Sequence, residues 1–288
     1  MFQIFLGLKW PPKLLGAGVF IALIYLVSIV QAQDNSREKK VPFDPKSAKD
    51  GGLGMPSPFD KFLALDQVLS GTKVDWRKTF RQVAVEIDPD AFTDKDVAIP
   101  MVLGVRIADG VMAVKASDAE LLNKCAADIE KLAQKMGVKD SELTRARAAR
   151  AAANNNEWLK VFMELGFLQQ DIMQKIADKD NPIRGNLLVV CGWMQGARYT
   201  TTIIENHYTK PASNILREPL LVKALNEKVQ QMPPDVKKNA TVKTMLNVLP
   251  KMQKILTIPL DGSISKENVA QLKMLSTEVV KSAVQATP

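Results

Sequence analysis

The 288-residue chain has few of the residues that catalysis and metal binding use most. It contains one histidine, two cysteines and 6% aromatic residues. A single imidazole excludes most zinc sites and Ser-His-Asp hydrolases, and two cysteines cannot build a disulfide-rich scaffold. The chain also lacks the HExxH, CxxC, GxSxG, Walker A and Rossmann glycine motifs. These absences favour a protein that is not an enzyme, and they predict neither a metal site nor a cofactor.

The composition is that of an ordinary globular chain, with 46% hydrophobic and 24% charged residues. Such values exclude wholesale disorder, a collagen-like repeat and a polytopic membrane protein. The net charge is +8, which favours an acidic partner surface, but the charges are interspersed. The densest basic patch is Thr144–Arg150, whose three arginines do not share one face of a helix. We therefore predict no nucleic-acid partner.

The amino terminus has the pattern of a secretory signal peptide. Lys9 and Lys13 precede an uncharged apolar run at residues 14–30, and Ala32 offers a small residue for cleavage. The chain is therefore expected to be exported, to a periplasm or to the extracellular space. The alternative is a membrane anchor, since seventeen residues in a helix extend about 25 Å, close to the hydrocarbon thickness of a bilayer.

Residues 33–58 are dominated by proline, glycine, lysine, aspartate and serine and are predicted to be a flexible linker. The chain thus divides into a signal or anchor at 1–32, the linker at 33–58 and a helical domain at 59–288. Cleavage after Ala32 removes two lysines and no acidic residue, which leaves the mature chain with a net charge of +6.

Beyond the linker, apolar residues recur every three or four positions, which predicts amphipathic helices. Segment 118–136 is the clearest, with Ser117 or Asp118 as its N-cap and Gly137 at its end, and Ser265 opens the last helix. The region around Gln82–Ile87 is also read as helix, because no partner strand or hairpin turn is evident. The other predicted helices are 59–69, 97–116, 142–153, 155–177, 185–206, 221–232, 235–249 and 265–283. We predict an all-α fold, a single bundle of about seven to nine helices.

Two of these segments, 97–116 and 185–206, are apolar nearly all round and are expected to be the central, buried helices. Neither is predicted to span a membrane, because Arg106, Asp109 and Arg198 lie in their middles.

Four glycines in these helices are candidates for close helix packing. Gly192 and Gly196 are one turn apart, so the backbone there can approach a neighbouring helix closely. Gly104 and Gly110 can act in the same way, with a less regular spacing.

Export into an oxidising compartment makes Cys125 and Cys191 a candidate disulfide. The alternative is a pair of buried thiols, since free cysteine packs as a small hydrophobe.

Polar residues within the two apolar helices are the best candidates for a ligand site. They comprise Arg106, Asp109, Gln195, Arg198, Tyr199, Thr202 and Glu205. The polar residues from 195 to 205 step by three and four along one face, and Arg106 and Asp109 share a face at i,i+3. Three interpretations follow: a solvated outer face, an internal salt-bridge network between the two helices, or a pocket for an anionic ligand lined by Arg106, Arg198 and Tyr199.

The leading functional hypothesis is an exported, non-enzymatic helical protein that binds a protein partner or stabilises an envelope assembly. It depends on the signal, the linker, the amphipathic helices and the missing catalytic motifs. Two alternatives are a small-molecule binder or enzyme that uses the polar notch, and a peripheral protein on an anionic membrane surface.

Overall fold

The computed structural model describes residues 64–139, 143–158, 160, 161, 163, 164, 182–259 and 261–285. Over these residues the chain contains nine α-helices and no strand, which confirms the predicted all-α bundle. The helices are α1 (Trp76–Val83), α2 (Ala98–Lys115), α3 (Ala119–Lys135), α4 (Thr144–Asn154), α5 (Pro182–Asn206), α6 (Lys210–Asn214), α7 (Pro219–Gln230), α8 (Ala240–Leu256) and α9 (Lys266–Val284). Residues 64–68 are also helical, and short 3-10 turns occupy Pro89–Ala91 and Val236–Lys238.

Helices α2 and α5 form the centre of the fold, as their apolar character predicts. They pack against each other more extensively than any other pair of described elements. Helix α3 covers another side of α2, and α9 covers another side of α5, while α7 and α8 pack together beside α9. Because neighbours surround α2, most of its residues are buried, including the charged residues Arg106 and Asp109.

Close packing of the central pair depends on Gly104 of α2 and Gly192 of α5. A Cβ on Gly104 would overlap the carbonyl oxygen of Leu188, and a Cβ on Gly192 would lie 3.2 Å from the carbonyl oxygen of Gly104. Gly110 differs, because a Cβ there would make ordinary 3.8 Å contacts with the side chains of α3. Gly196 is buried in α5.

Several helix boundaries lie where the sequence predicts them. The Asp118 side chain accepts a hydrogen bond from the Leu121 amide at the start of α3, and Gly137 follows its end with a φ of +92°. The Ser265 side chain likewise accepts a hydrogen bond from the Asn268 amide at the start of α9. Each cap satisfies an amide that has no partner within its own helix.

The predicted helix through Ile87 is wrong beyond Val83, where α1 ends. Residues 84–88 have no regular structure, and the backbone of Val85 bonds to side chains of α2 instead of continuing the helix. Pro89 then restricts Asp88, which has an extended backbone with a φ of −101° and a ψ of 106°.

The predicted helix 235–249 begins later and ends later in the structure. Asn239 caps α8 by accepting hydrogen bonds from the amides of Thr241 and Val242. The helix then continues through Pro250 to Leu256. Pro250 lies on the exposed face, and burial of the opposite face of α8 against its neighbours outweighs the hydrogen bond that the proline removes.

The predicted signal segment and linker, with residues 59–63, lie outside the described residues. So does most of the predicted helix 155–177, of which the described residues from Trp158 to Glu164 are helical.

Candidate functional site

The polar residues of the central helices are mostly buried, so the prediction of a solvated outer face is wrong. Asp109, Gln195 and Tyr199 are fully buried, and Arg106 is only 2% exposed. This follows from the position of α5, which is covered by α2 on one side and by α9 on another. Buried polar groups at this depth need partners.

The Asp109 carboxylate is the centre of a hydrogen-bond network between α2 and α5. Its Oδ2 accepts from Arg106 Nη1 at 2.7 Å and, at 3.4 Å, from the backbone amide of Val85. Its Oδ1 accepts from Gln195 Nε2 at 2.5 Å and from the Tyr199 hydroxyl at 2.8 Å. Every neighbour donates and none requires a proton from Asp109, so the geometry fits the ionised carboxylate.

Arg106 extends the network from α2 to α3 and to the segment after α1. Its Nη2 donates to Asp128 Oδ2 of α3 at 2.7 Å, and its Nη1 also donates to the carbonyl of Val85 at 2.9 Å. Asp128 was absent from the sequence-based candidates. The signal that points to it is its position three residues after Cys125, beside the apolar seam of α3.

Arg198 carries the network from α5 toward α9. Its Nη1 donates to Gln195 Oε1 at 2.7 Å, and its Nε donates to Thr277 Oγ1 of α9 at 3.3 Å. The sequence does not identify Thr277 as a site residue either, because a threonine on an amphipathic helix has no distinguishing pattern. The ring of Phe80, in α1, stacks on Tyr199 with centroids 6.1 Å apart and helps to orient its hydroxyl.

Two of the predicted site residues lie outside this network. Thr202 is buried on α5, and no hydrogen bond links its side chain to the residues around Asp109. Glu205 is partly exposed and pairs with Lys273 of α9 at 2.6 Å. The polar stripe therefore divides into a buried part, from Gln195 to Tyr199, and a peripheral ion pair at its end.

The charges of the network balance, with Arg106 and Arg198 against Asp109 and Asp128. Burial raises the pKa of Asp109, while Arg106, Gln195 and Tyr199 act in the opposite direction. Burial also raises the pKa of Tyr199 well above its usual value, and the nearby carboxylate adds to that effect, so the hydroxyl stays a donor. Burial disfavours the charged form of Arg106, but its acidic neighbours outweigh this and raise its pKa.

This arrangement engages both arginines that were candidates for binding an anion, Arg106 with two carboxylates and Arg198 with two neutral acceptors. Both arginines already contact acceptors of the protein, and of their described nitrogens only Arg106 Nε is buried without a hydrogen-bond partner. An anionic ligand would have to displace Asp109 or Asp128 at Arg106, and Gln195 or Thr277 at Arg198. The network thus connects α2, α3, α5, α9 and the segment after α1, and it presents no net positive charge to a ligand.

Neither a metal site nor a membrane span is found in the part of the chain that the structure describes. No group of three or more His, Cys, Asp or Glu residues there is placed to hold a metal ion. None of the described helices is long and apolar enough to cross a bilayer.

Cys125 of α3 and Cys191 of α5 are buried free thiols in the structure, so the candidate disulfide is not formed there. Burial raises the pKa of the Cys125 thiol to about 12 and raises that of Cys191 further. Both thiols therefore remain protonated and unreactive, and they pack as small apolar side chains.

No protein-family model matches the chain, and no curated protein or solved structure matches it significantly. Functional proposals therefore depend on the arrangement of its own residues.

Proposed function

We propose that this chain is an exported, non-enzymatic helical protein that binds a protein partner or stabilises an assembly of the cell envelope. The observation that carries the proposal is the closed network at Asp109. Catalytic acids, bases and nucleophiles need access to a substrate. Here Asp109 and Tyr199 are fully buried and bonded to each other and to neighbouring helices.

Binding of a small anionic ligand in the notch between the central helices receives less support. A positively charged pocket requires cationic groups that are free to meet the ligand. Arg106 instead binds Asp109 and Asp128, and Arg198 binds Gln195 and Thr277. The network satisfies its own hydrogen bonds except at Arg106 Nε, which favours a structural role for these residues.

The proposed export follows from the amino-terminal sequence. Lys9, Lys13 and the apolar run at 14–30 favour a signal peptide cleaved after Ala32, or a membrane anchor at the same place. Either outcome places the helical domain in the envelope or outside the cell, which is where we propose that its partner lies.

Recovery of a partner from envelope membranes solubilised in mild detergent tests this function. We expect the tagged full-length chain to bring down a partner that then co-elutes with it at a constant molar ratio in gel filtration. The tag alone, processed in parallel, serves as the control for adventitious binding. Recovery of the monomer only, under conditions that preserve other envelope complexes, would remove the support for an interaction role.

A further inference from the structure

The most uneven charge distribution in the described part of the chain lies on α8 and the turn before it. Residues 236–259 contain five lysines and no acidic residue. We call these five the lysine face: Lys237, Lys238, Lys243, Lys251 and Lys254. The segment also contains no arginine and no aromatic residue.

The lysines of α8 lie along one exposed stripe of the helix. The exposed positions of the helix follow each other mostly at spacings of three or four residues and are Ala240, Lys243, Asn247, Pro250, Lys251 and Lys254. From Lys243 to Lys254 the stripe extends about 16 Å along the helix axis. The opposite side of α8 is buried in the core, so the stripe faces outward.

None of the five lysines forms an ion pair with a described residue, whereas most basic residues elsewhere do. In the Thr144–Arg150 patch, Arg145 pairs with Glu164 at 3.6 Å and Arg150 with Glu130 at 3.3 Å. The densest basic patch of the sequence is thus largely neutralised by its tertiary neighbours. Lys73, Lys78 and Lys95 also form no ion pair with a described residue, but the lysine face places five such lysines within 18 residues of the chain.

The side chains of the lysine face suit contact with an extended anionic surface better than binding of a single ligand of fixed geometry. Lysine is a hydrated point charge that sets no fixed geometry, unlike the planar fork of arginine, and no aromatic ring is present to stack on a base. The large hydrophobic side chains exposed in the described residues (Val68, Met163, Leu220 and Met274) all lie outside α8. A row of lysines without such side chains suits contact with phospholipid headgroups rather than insertion between them.

We propose that the lysine face docks the helical domain onto the anionic phospholipid headgroups of a membrane surface. The proposal rests on the envelope location given above and adds the docking surface and the chemistry of what it contacts. Attraction to an anionic leaflet acts on each lysine within about 10 Å of the surface at 0.1 M salt, so a linear array gains from all of its members together.

Lysine footprinting of the full chain on vesicles tests this docking. The protein is acetylated with an amine-reactive reagent on vesicles of phosphatidylcholine alone and on vesicles of phosphatidylcholine mixed equally with phosphatidylglycerol. Mass spectrometry then gives the labelling rate of each lysine. A rate for each residue is needed because the apolar segment at 14–30 can bind either vesicle and would dominate any measurement of total binding.

On the anionic vesicles we expect the lysine face to be labelled about fivefold more slowly than on neutral ones. High salt should restore the rate, because it screens the attraction. The exposed lysines Lys73, Lys78 and Lys95 are the internal control, since they lie outside α8, on or before α1 and before α2, and should keep the same rate on both vesicles.

A triple variant and a matched control distinguish the effect of the lysine face from the effect of the protein's net charge. K243Q/K251Q/K254Q should lose the protection of the two remaining lysines, Lys237 and Lys238. K73Q/K78Q/K95Q removes the same amount of charge elsewhere, and in this variant the lysine face should still be protected on anionic vesicles. All six positions are exposed, so neither variant is expected to affect folding.

Equal labelling of the lysine face on neutral and anionic vesicles would overturn the proposal, as would equal protection of the control lysines. Protection that arises only when a recovered protein partner is added would assign the face to that protein instead of to lipid. Recovery of a partner in detergent without protection on vesicles would leave the interaction role standing and reject the lipid contact alone.

Discussion

Replacing Asp109 with alanine is expected to lower the free energy of unfolding by about 3–5 kcal/mol, because removing one member of a buried ion pair leaves the other with less compensation for its burial. Arg106 is 2% exposed and would keep only Asp128 as a charged partner. Gln195 and Tyr199 would each lose an acceptor as well. The loss is a large part of the about 5–15 kcal/mol by which domains are usually stable.

Urea unfolding followed by circular dichroism measures this effect. Glu86→Ala is the matched control, since Glu86 is an exposed acid that pairs with Lys124 at 2.7 Å. Exposed pairs contribute little, so the control should unfold at the same urea concentration as the wild type. An Asp109→Ala midpoint equal to that of Glu86→Ala would show that the buried network does not stabilise the fold.

Replacing Gly104 with alanine is expected to cost about 1–3 kcal/mol, because an added methyl group must push apart the two central helices. Its Cβ would overlap the Leu188 carbonyl oxygen, which belongs to the backbone of α5 and cannot rotate away. Separation at this point would also stretch the hydrogen bonds between Asp109 and Gln195, one to two turns further along.

Gly110→Ala is the control for this prediction, since it makes the same substitution in the same helix. A Cβ there would contact only Cys125 and Ile129, at 3.8 Å. Alanine also favours a helix over glycine by about 1 kcal/mol, so Gly110→Ala should unfold at the same temperature as the wild type or above it. A Gly104→Ala protein as stable as Gly110→Ala would contradict the close approach of the two backbones.

The sequence predicts most helices and the identity of the central pair because both depend on local pattern. Apolar residues at helical spacing mark one buried face, and helices that are apolar all round must lie at the centre. Caps such as Asp118 and Ser265 are local signals too. The end of α1 is different, because Val85 leaves the helix to bond with Arg106 and Asp109, more than twenty residues away.

The sequence also identifies the polar residues of the central helices, but it does not identify the residues that they contact. Asp109 and Gln195 meet only when α2 and α5 dock in one particular rotation, which periodicity does not determine for helices that are apolar all round. Asp128 and Thr277 come from two further helices. The neutralisation of the Thr144–Arg150 patch depends in the same way on distant partners, Glu130 and Glu164.

The structural role of the buried charges at the centre of the fold can be measured with a double-mutant cycle on Arg106 and Asp109. Arg106→Gln and Asp109→Asn remove the charges while keeping side chains of similar polarity. If the two residues form one unit, the double variant should lose less free energy of unfolding than the two single variants lose together. The difference should be about 1–3 kcal/mol. Single effects that add within about 0.5 kcal/mol would contradict a network held together by this pair.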